Sequence, residues 1–309
     1  MSLQTAIIPF QGWARNLRLG NGTVELIVTL EVGPRILSYS LPGGTNPFKI
    51  FEDQVGGTGE PNWRNRGGHR LWLAPESPTF SYVPDNSPVR WEPLGAWGVR
   101  LIPPPETASG FQKELDVTLS PSGTKVRVVH RLTRLGDTPH AVAPWALTVM
   151  AAGGWAILPQ PPFGEHPRDL LPNRRLILWP YTDLSDPRFR FGRKFFTVRQ
   201  DSASGPTKLG FAQQPGWGAY FLRDTLFVKK FPWQSAAAYP DDGCNLEVFT
   251  NARMLELESL GPLVTLPPGG SLEHIEEWEL KGGLSCDPGS DEALEALLRP
   301  LVEKTAPRA

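Results

Sequence analysis

The chain has little cysteine, no excess charge of either sign and no long apolar run, and each shortage excludes a class of protein. Its 309 residues include 2 cysteines, and 31 Lys plus Arg residues are balanced by 32 Asp plus Glu residues. A near-neutral chain gives no support to binding of nucleic acid or of an anionic membrane. No stretch approaches the roughly 18 apolar residues that a membrane helix needs. Cys244 and Cys286 are too few and too far apart for a zinc motif, and nothing in the sequence resembles a phosphate-binding glycine loop, so we predict neither a metal nor a cofactor.

The N-terminal segment gives an expectation about the cellular compartment. Residues 1–10, MSLQTAIIPF, have no basic start, only a very short apolar run and no small-residue cleavage site, so they do not resemble a signal peptide. Free thiols in a chain without an export signal favour a reducing compartment. We therefore expect a cytoplasmic protein. We also expect a monomer or a homodimer.

Glycine and proline are abundant, with 31 and 33 residues, and this excludes a long helical bundle because helix interiors tolerate neither. Short runs with β-type composition recur instead, and Gly, Pro, Asn or Asp closes each of them. Residues 23–30 and 125–132 are examples. Roughly eighteen such runs with regular turn signals predict an all-β sandwich or barrel.

A helix is predicted only near the C-terminus. Ser290 or Asp291 can cap it, and Pro300 follows its last turn. Its apolar stripe consists of Ala293, Leu294, Leu297 and Leu298. We expect it to pack on the outside of the β body, as a tail over residues 286–309 that follows one β domain over residues 1–285.

The segment 245–260, NLEVFTNARMLELESL, predicts a β-hairpin that turns at Asn251-Ala252. With this turn, Thr250 pairs with Arg253. Alternation then places one set of apolar side chains on a common face. These are Leu246, Val248, Leu255 and Leu257.

The opposite face of this hairpin carries three carboxylates. In the predicted register, Glu247 lies opposite Glu256 and Asn245 lies opposite Glu258, with Asp241 just upstream. Directly opposed like charges destabilise a sheet. Either this face is solvated, as is common in antiparallel sheets, or it lines a cleft in which crowding shifts one carboxylate toward a general base. Neighbouring apolar and aromatic side chains favour the cleft: Phe249, Met254 and Trp233.

A second candidate cluster lies in residues 63–76, WRNRGGHRLWLAPE. His69 offers a titratable imidazole, Arg70 a fixed cation, Trp72 an apolar plane and Glu76 a carboxylate. A lone histidine has a structural role more often than a catalytic one. The arginine and the glutamate could also form a plain salt bridge.

A third candidate segment is 229–242, KKFPWQSAAAYPDD, and it contains possible ligand contacts. Lys230, Trp233, Tyr239 and Asp241 combine charge with aromatic faces. An exposed edge loop is the alternative interpretation of the same residues.

Several segments in a fixed order resemble the aldose 1-epimerase (galactose mutarotase)-like superfamily. Residues 33–36, GPRI, with residues 46–48, NPF, resemble its opening pattern. Residues 255–280 resemble its closing pattern of a glutamate strand, a proline-glycine turn and a final aromatic strand. Residues 67–76, GGHRLWLAPE, and 143–150, APWALTVM, are more similar to an uncharacterised, divergent branch of that superfamily.

The resemblance implies a β-supersandwich whose sugar site lies on a concave sheet face. It implies a cofactor-free interconversion of the anomers of a free aldose, in which a glutamate takes the anomeric proton and a histidine protonates the ring oxygen. Glu258 matches the glutamate, and Arg70 and His69 match the family's arginine and a substrate-binding histidine. The stretch that corresponds to the acid histidine, residues 143–147, contains none. Either His69 supplies the proton from another direction, or the chemistry is altered or lost.

These features lead to a hypothesis of a carbohydrate-active enzyme that acts on a sugar or sugar derivative. Glu258 is its predicted general base, and we expect its carboxyl group to project into a hollow close to imidazole and guanidinium partners. In this hypothesis, Arg70, Lys230 and Asp241 bind hydroxyls or an acidic group. Glu247 and Glu256 are further predicted substrate-binding residues on the face that carries Glu258. Trp72 or Trp233 stacks on the ring.

Two further functions remain open from the sequence. The missing mid-chain histidine favours a non-catalytic carbohydrate-binding protein on the same scaffold. A lyase or hydrolase that acts on polysaccharide is the other alternative, in which Tyr239 or His69 serves in proton abstraction.

Overall fold

The computed structural model describes residues 2–302, and these residues form β-strands and one C-terminal helix. In chain order the elements are β1 Gln4–Phe10, β2 Trp13–Gly20, β3 Glu25–Thr29, β4 Arg35–Ser40, β5 His69–Ala74, β6 Arg90–Leu94, β7 Gly98–Ile102, β8 Phe111–Leu119, β9 Val126–Arg134, β10 His140–Met150, β11 Trp155–Pro159, β12 Leu176–Leu178, β13 Phe189–Phe191, β14 Phe195–Arg199, β15 Thr207–Phe211, β16 Trp217–Leu222, β17 Thr225–Lys230, β18 Leu246–Thr250, β19 Leu255–Leu260, β20 Val264–Leu266, β21 Ser271–Lys281 and α1 Asp291–Val302.

The strands form two antiparallel sheets. The first has eleven strands, in the order β1-β2-β3-β4-β5-β10-β19-β18-β15-β12, with β20 paired to β10. The second has ten strands, in the order β13-β14-β11-β16-β17-β21-β9-β8-β7-β6. The prediction of an all-β sandwich with a short C-terminal helix is confirmed. Within residues 2–302, no helix is long and apolar enough to cross a membrane.

The main core lies between the two sheets. Leu246, Val248, Leu255 and Leu257 are buried there, as the hairpin alternation predicts. They pack with side chains of the second sheet such as Phe227. Full burial of an aliphatic or phenyl side chain contributes about 1.5–3 kcal/mol, so this face of the hairpin is fixed in orientation.

The register of the hairpin differs from the predicted one by two residues. Thr250 pairs with Leu255, and Glu247 therefore lies opposite Glu258. The connection is longer than two residues because the Asn251 side-chain oxygen accepts hydrogen bonds from the backbone N–H groups of Arg253 (2.8 Å) and residue 254 (3.2 Å), which is an Asx-type turn. A shift of two residues keeps every side chain on its predicted face.

Helix α1 packs on the outer face of the second sheet. Leu294 and Leu298 are buried there against Ile157 and Phe195. Ser290 caps the helix, because its hydroxyl oxygen accepts a hydrogen bond from the backbone N–H three residues on, at 3.2 Å. The prediction that the helix ends before residue 300 is wrong, since the helix includes that proline in its last turn.

Candidate functional site

Five adjacent strands, β5, β10, β19, β18 and β15, bring the candidate side chains to one face of the first sheet. Arg70, Leu147, Glu258 and Glu247 are successive cross-strand partners, and partners that lie directly opposite share a face. This is the outer face, away from the second sheet. The next residue, Thr148, points inward, where its hydroxyl accepts a hydrogen bond from Lys229 Nζ of β17 at 3.1 Å.

Two buried carboxyl groups share one ammonium group on this outer face. Lys208 Nζ lies 2.7 Å from Glu247 Oε2 and 3.1 Å from Glu258 Oε2. Trp145 Nε1 donates a hydrogen bond of 2.9 Å to Glu258 Oε2. The charges of Glu258 and Asp241 also act on the Glu247 carboxyl group. We call Asp241, Glu247, Glu258 and Lys208 the carboxyl cluster.

The proximity of the carboxyl groups favours retention of a proton. Neighbouring like charges disfavour the ionised form of a carboxyl group, and Glu258 and Asp241 both act in this way on Glu247. Burial raises the pKa of Glu247 well above its usual range, despite the opposing effect of Lys208. Burial also raises the pKa of Glu258, and Lys208 opposes this shift. These shifts favour a carboxylic acid beside a carboxylate, as in other sites where two carboxyl groups lie close together.

The ammonium group of Lys208 stays charged. Burial alone would lower its pKa, but Glu247 and Glu258 hold the pKa of Lys208 well above its usual value. The ammonium lies 4.5 Å from the ring centroid of Trp145 and 4.7 Å from that of Trp179. Only 4% of the Lys208 side chain is exposed, and Glu247 and Glu258 are fully buried beside it.

A guanidinium group lies on the same sheet face as Glu258, two strands away. Arg70 Nη2 donates a hydrogen bond of 2.9 Å to Glu256 Oε1. The guanidinium carbon lies 4.5 Å from the centroid of Trp72 and 5.2 Å from that of Trp63. These indole faces stabilise the cation.

Some buried polar atoms of this face have no hydrogen-bond partner within residues 2–302. They include Nε and Nη1 of Arg70, Oε1 of Glu247 and Oε1 of Glu258. A buried polar atom without a partner costs about 1–3 kcal/mol, more if it is charged. Native sites rarely carry this cost without a reason. Two donors and two acceptors on the same face as several indole rings fit a ligand that has hydroxyl groups and an apolar face.

The prediction that His69 lies close to Glu258 is wrong. His69 pairs across the sheet with Thr148, and its Nδ1 lies 2.9 Å from the Thr148 hydroxyl. It is fully buried between the two sheets. Successive residues of a strand point to opposite faces, so Arg70 occupies the Glu258 side and His69 the interior.

The inward-facing histidine belongs to a polar network inside the core. His69 Nε2 lies 2.6 Å from His130 Nε2, and His130 Nδ1 donates a hydrogen bond of 2.9 Å to the carbonyl oxygen of His274. A carbonyl only accepts, so the proton of the neutral His130 ring is on Nδ1. His130 Nε2 then accepts from His69 Nε2. Burial lowers the pKa of His69 and of His130, so these rings are neutral.

Three groups of this interior network are close enough to be considered as metal ligands. Donor atoms of His69, His130 and Glu276 lie within 4.8 Å of one another. Two nitrogens bound to one tetrahedral zinc stand about 3.3 Å apart, given Zn–N bonds of about 2.05 Å, whereas these nitrogens are 2.6 Å apart. Lys229 Nζ also lies 2.7 Å from Glu276. The arrangement fits a proton-sharing chain better than a cation site.

Strand β10 carries the stretch where the resemblance expects an acid histidine. Trp145 and Leu147 are its side chains on the outer face beside Glu258. An indole N–H donates a hydrogen bond but does not titrate. Neither residue can serve as a general acid.

The remaining predicted residues divide between the cluster and other places. Glu76 is exposed and accepts a hydrogen bond from the Tyr82 hydroxyl, so Arg70 pairs with Glu256 instead. Lys230 lies on β17 of the second sheet, where its Nζ donates a hydrogen bond of 2.6 Å to the Leu301 carbonyl of α1. The structure does not bring Lys230 to the carboxyl cluster.

Two predicted aromatic residues line a groove next to the cluster. Trp233 and Tyr239 stack, with ring centroids 4.9 Å apart and an interplanar angle of 13°. The groove has a volume of about 660 Å³, and we call it the indole groove. Its lining consists of Pro172, Asn173, Arg174, Arg175, Ala212, Gln214, Trp233, Ser235, Ala237, Ala238, Tyr239, Asp242 and Gly243.

Sequence reasoning missed Lys208, which is central to the cluster. It lies on β15, whose sequence TKLGF is short and follows Gly205-Pro206. A single lysine in a strand of otherwise uncharged residues was the available signal, because such a residue needs an anionic partner when the strand is buried.

Comparison with solved structures identifies the fold of this chain. No protein-family model matches the sequence, and no curated protein matches it. The structure is similar to the Slr1438 protein from Synechocystis sp. PCC 6803, with 14% identity, a TM-score of 0.58, and 90% of this chain and 99% of that chain covered.

Two further solved structures are described as galactose mutarotase-like proteins. One, from Lactobacillus casei ATCC 334, has 11% identity and a TM-score of 0.58, with 86% of this chain and 100% of that chain covered. The other, from Clostridium acetobutylicum, has 13% identity and a TM-score of 0.52, with 91% and 99% covered. The chain therefore has the galactose mutarotase-like fold. Fold alone does not determine function.

Proposed function

We propose that this protein, with its galactose mutarotase-like fold, is a carbohydrate-active isomerase that interconverts the anomers of a free sugar by acid–base catalysis. The observation that supports this most strongly is the buried pair of Glu247 and Glu258 around Lys208. Such a pair offers a proton donor and a proton acceptor within one site.

Glu258 is the general base of the proposed reaction. Its carboxylate removes the proton of the anomeric hydroxyl, the C1–O5 bond breaks, and a carbonyl group forms at C1. The ring oxygen takes up a proton as it leaves. Rotation about the C1–C2 bond and the reverse steps give the other anomer. Protons and electrons balance, so no cofactor is needed.

Glu247 is the proposed acid that protonates the ring oxygen. The carboxyl cluster offers Glu247, Asp241 and Lys208 as proton donors, and Glu247 lies directly opposite Glu258. The pKa of Lys208 is held well above its usual value, which makes the ammonium a weak acid. The raised pKa of Glu247 favours its protonated form, and a catalytic pKa close to the working pH is the most effective.

The neighbouring side chains have proposed binding roles. The unpartnered N–H groups of Arg70 would donate to sugar hydroxyls. Trp72 and Trp145 would pack on the apolar face of the ring. Lys208, on a flexible four-carbon stem, would move aside or bind a hydroxyl oxygen, which gives the sugar access to Glu258.

Polarimetry on freshly dissolved glucose, galactose and other free sugars tests this proposal. We expect the protein to accelerate mutarotation of at least one sugar above the buffer rate. Loss of a general acid or base costs about 10²–10⁴-fold, so we expect Glu258→Gln to lower the catalysed rate by that factor. Unchanged buffer-rate mutarotation with every sugar would overturn the assignment as an isomerase.

A non-catalytic saccharide-binding protein is the second candidate. The observation that favours it is the full burial of Glu258, with Oε2 bonded to both Lys208 and Trp145. In this case calorimetry with neutral, acidic and phosphorylated sugars would detect binding while polarimetry detects no acceleration.

A further inference from the structure

The indole groove has the size and lining of a small-molecule site. Its volume of about 660 Å³ lies within the range of about 300–1,000 Å³ that is typical of ligand pockets. Its walls mix an indole ring with amide, guanidinium and carboxyl groups, and the polar ones are Asn173, Arg174, Arg175, Gln214, Ser235 and Asp242. None of these residues belongs to the carboxyl cluster.

The aromatic wall of this groove is rigid. Trp233 lies parallel to Tyr239, which is only 7% exposed. The Tyr239 hydroxyl oxygen accepts a hydrogen bond of 3.1 Å from the backbone N–H of Gln234, so its ring is fixed. A large aromatic plane that loses little entropy on binding suits the apolar face of a sugar ring.

Two segments connect the groove to the carboxyl cluster, and the first is the turn 241–243. The Asp241 carboxyl group is close enough to Glu247 of the cluster for their charges to interact, while Asp242 and Gly243 line the groove. All three residues have positive φ angles, of 49°, 57° and 101°. This backbone conformation directs the Asp241 side chain to the cluster and the Asp242 side chain to the groove. Arg175 supports the turn, because its Nη1 donates to the Asp242 carbonyl at 3.4 Å.

The second connecting segment runs from residue 172 through β12. Residues 172–175 line the groove, and the strand continues to Trp179, whose ring lies 4.7 Å from Lys208 Nζ. Both segments therefore have one end in the groove and the other at the cluster. The two sites are adjacent along the same sheet edge.

The charges near this junction disfavour an anionic ligand. The carboxyl groups of Asp241 and Asp242 stand on the connecting turn. Arg174 Nη2 already donates to the carbonyl oxygens of Pro161 (3.1 Å) and Arg193 (2.8 Å). The groove thus offers hydrogen bonds and an aromatic plane, with no cluster of uncommitted cations among the described lining residues.

We propose that the indole groove is a second saccharide subsite, and that the ligand is a neutral reducing saccharide of at least two rings. The reducing-end ring lies over Glu258 and the next ring packs on Trp233. This inference rests on the proposed function, because it takes the carboxyl cluster as the site of the reducing end.

Isothermal titration calorimetry tests the subsite with pairs of ligands. The probes are glucose and galactose, the neutral reducing disaccharides maltose, cellobiose, lactose and melibiose, and a uronic-acid disaccharide. We expect at least one neutral disaccharide to bind ten-fold or more tightly than its reducing-end monosaccharide. We expect Trp233→Ala to remove this advantage and Trp233→Phe to keep most of it. Arg127→Ala, an exposed change on β9 of the other sheet, is the control and should bind like the wild type.

The possible results separate this inference from the proposed function. Equal affinity for mono- and disaccharides, no binding at all, preference for the acidic disaccharide, or an advantage that survives Trp233→Ala would each overturn the subsite. If mono- and disaccharides bind equally, or if the advantage survives Trp233→Ala, monosaccharide mutarotation that depends on Glu258 would still support the proposed isomerase. A Trp233-dependent advantage without any mutarotase activity would support the subsite and refute the isomerase.

Discussion

Glu247 and Glu258 lie directly opposite each other on neighbouring strands, and one ammonium group, that of Lys208, bonds to both. Two opposed carboxylates would destabilise a sheet, and burial makes the cost larger. The cation offsets part of this cost, and the raised pKa of Glu247 favours retention of a proton on the pair. In the proposed reaction, the same two carboxyl groups serve as the acid and the base.

Replacement of Lys208 by methionine tests the importance of the cation. Removal of one partner from a buried ion pair costs about 3–5 kcal/mol, so we expect the free energy of unfolding at pH 7 to fall by that amount in a urea titration. The loss should be smaller at pH 5, because the glutamates can then take up protons. The exposed Lys281→Met is the control. A loss at pH 7 no larger than that of the control would contradict the account of the cluster.

His69→Ala should affect stability and leave ligand binding intact. The side chain is buried between the sheets and hydrogen-bonds with Thr148 and His130. Loss of these bonds and of the packed ring should lower the free energy of unfolding by about 2–4 kcal/mol. We expect the Kd for a bound sugar, measured well below the melting temperature, to stay within about two-fold of the wild-type value. A large loss of sugar affinity in a folded variant would contradict this prediction and would indicate that His69 takes part in sugar binding.

The interior histidines make stability depend on pH. Burial lowers the pKa of His274 to about 3, and the facing groups are His130, Glu276 and Lys229. Between pH 6.5 and that value the unfolded chain binds a proton that the folded chain does not, so the contribution of His274 to stability is lost as pH falls.

The expected slope is about 1.4 kcal/mol per pH unit for this histidine. His274→Gln cannot titrate, and we expect the free energy of unfolding of this variant to fall less steeply between pH 6 and 4 than that of the wild type. The measurement is a urea titration of both proteins at four pH values. If the two free energies of unfolding change with pH in parallel, His274 does not cause the pH dependence of stability.

A double-mutant cycle measures the coupling of Arg70 to Glu256. Arg70→Ala leaves the mostly buried Glu256 carboxylate with the Asn65 amide, at 3.3 Å, as its remaining hydrogen-bond donor among the described residues. We expect the free energy of unfolding to fall by about 2–3 kcal/mol. Glu256→Gln in the same background should recover part of this loss, with a coupling energy of about 1–3 kcal/mol. Strictly additive effects would show that the two side chains do not stabilise each other.

The sheet class and the faces of the hairpin were predictable from sequence, because they depend on local alternation. Leu255 and Leu257 had to be buried together, and so Glu256 and Glu258 had to share the other face. The register was not predictable, since it depends on how the Asn251 side chain closes the turn. That change replaced Glu256 with Glu258 as the partner of Glu247.

The composition of the site was only partly predictable because it depends on which strands are neighbours. Lys208, Trp145 and Glu258 lie on β15, β10 and β19, which are far apart in sequence and adjacent in the sheet. Alternation also carries information that the prediction did not use. Since His69 and Arg70 are consecutive in one strand, they could not both face Glu258.

A crystal structure with a bound sugar tests the central claim most directly, through the distance from the Glu258 carboxylate to the anomeric oxygen. The account predicts a distance within hydrogen-bond reach, about 2.6–3.2 Å, with Lys208 moved from its present position between the two glutamates. A sugar bound elsewhere on the molecule, with Glu258 still bonded to Lys208 and Trp145, would contradict it.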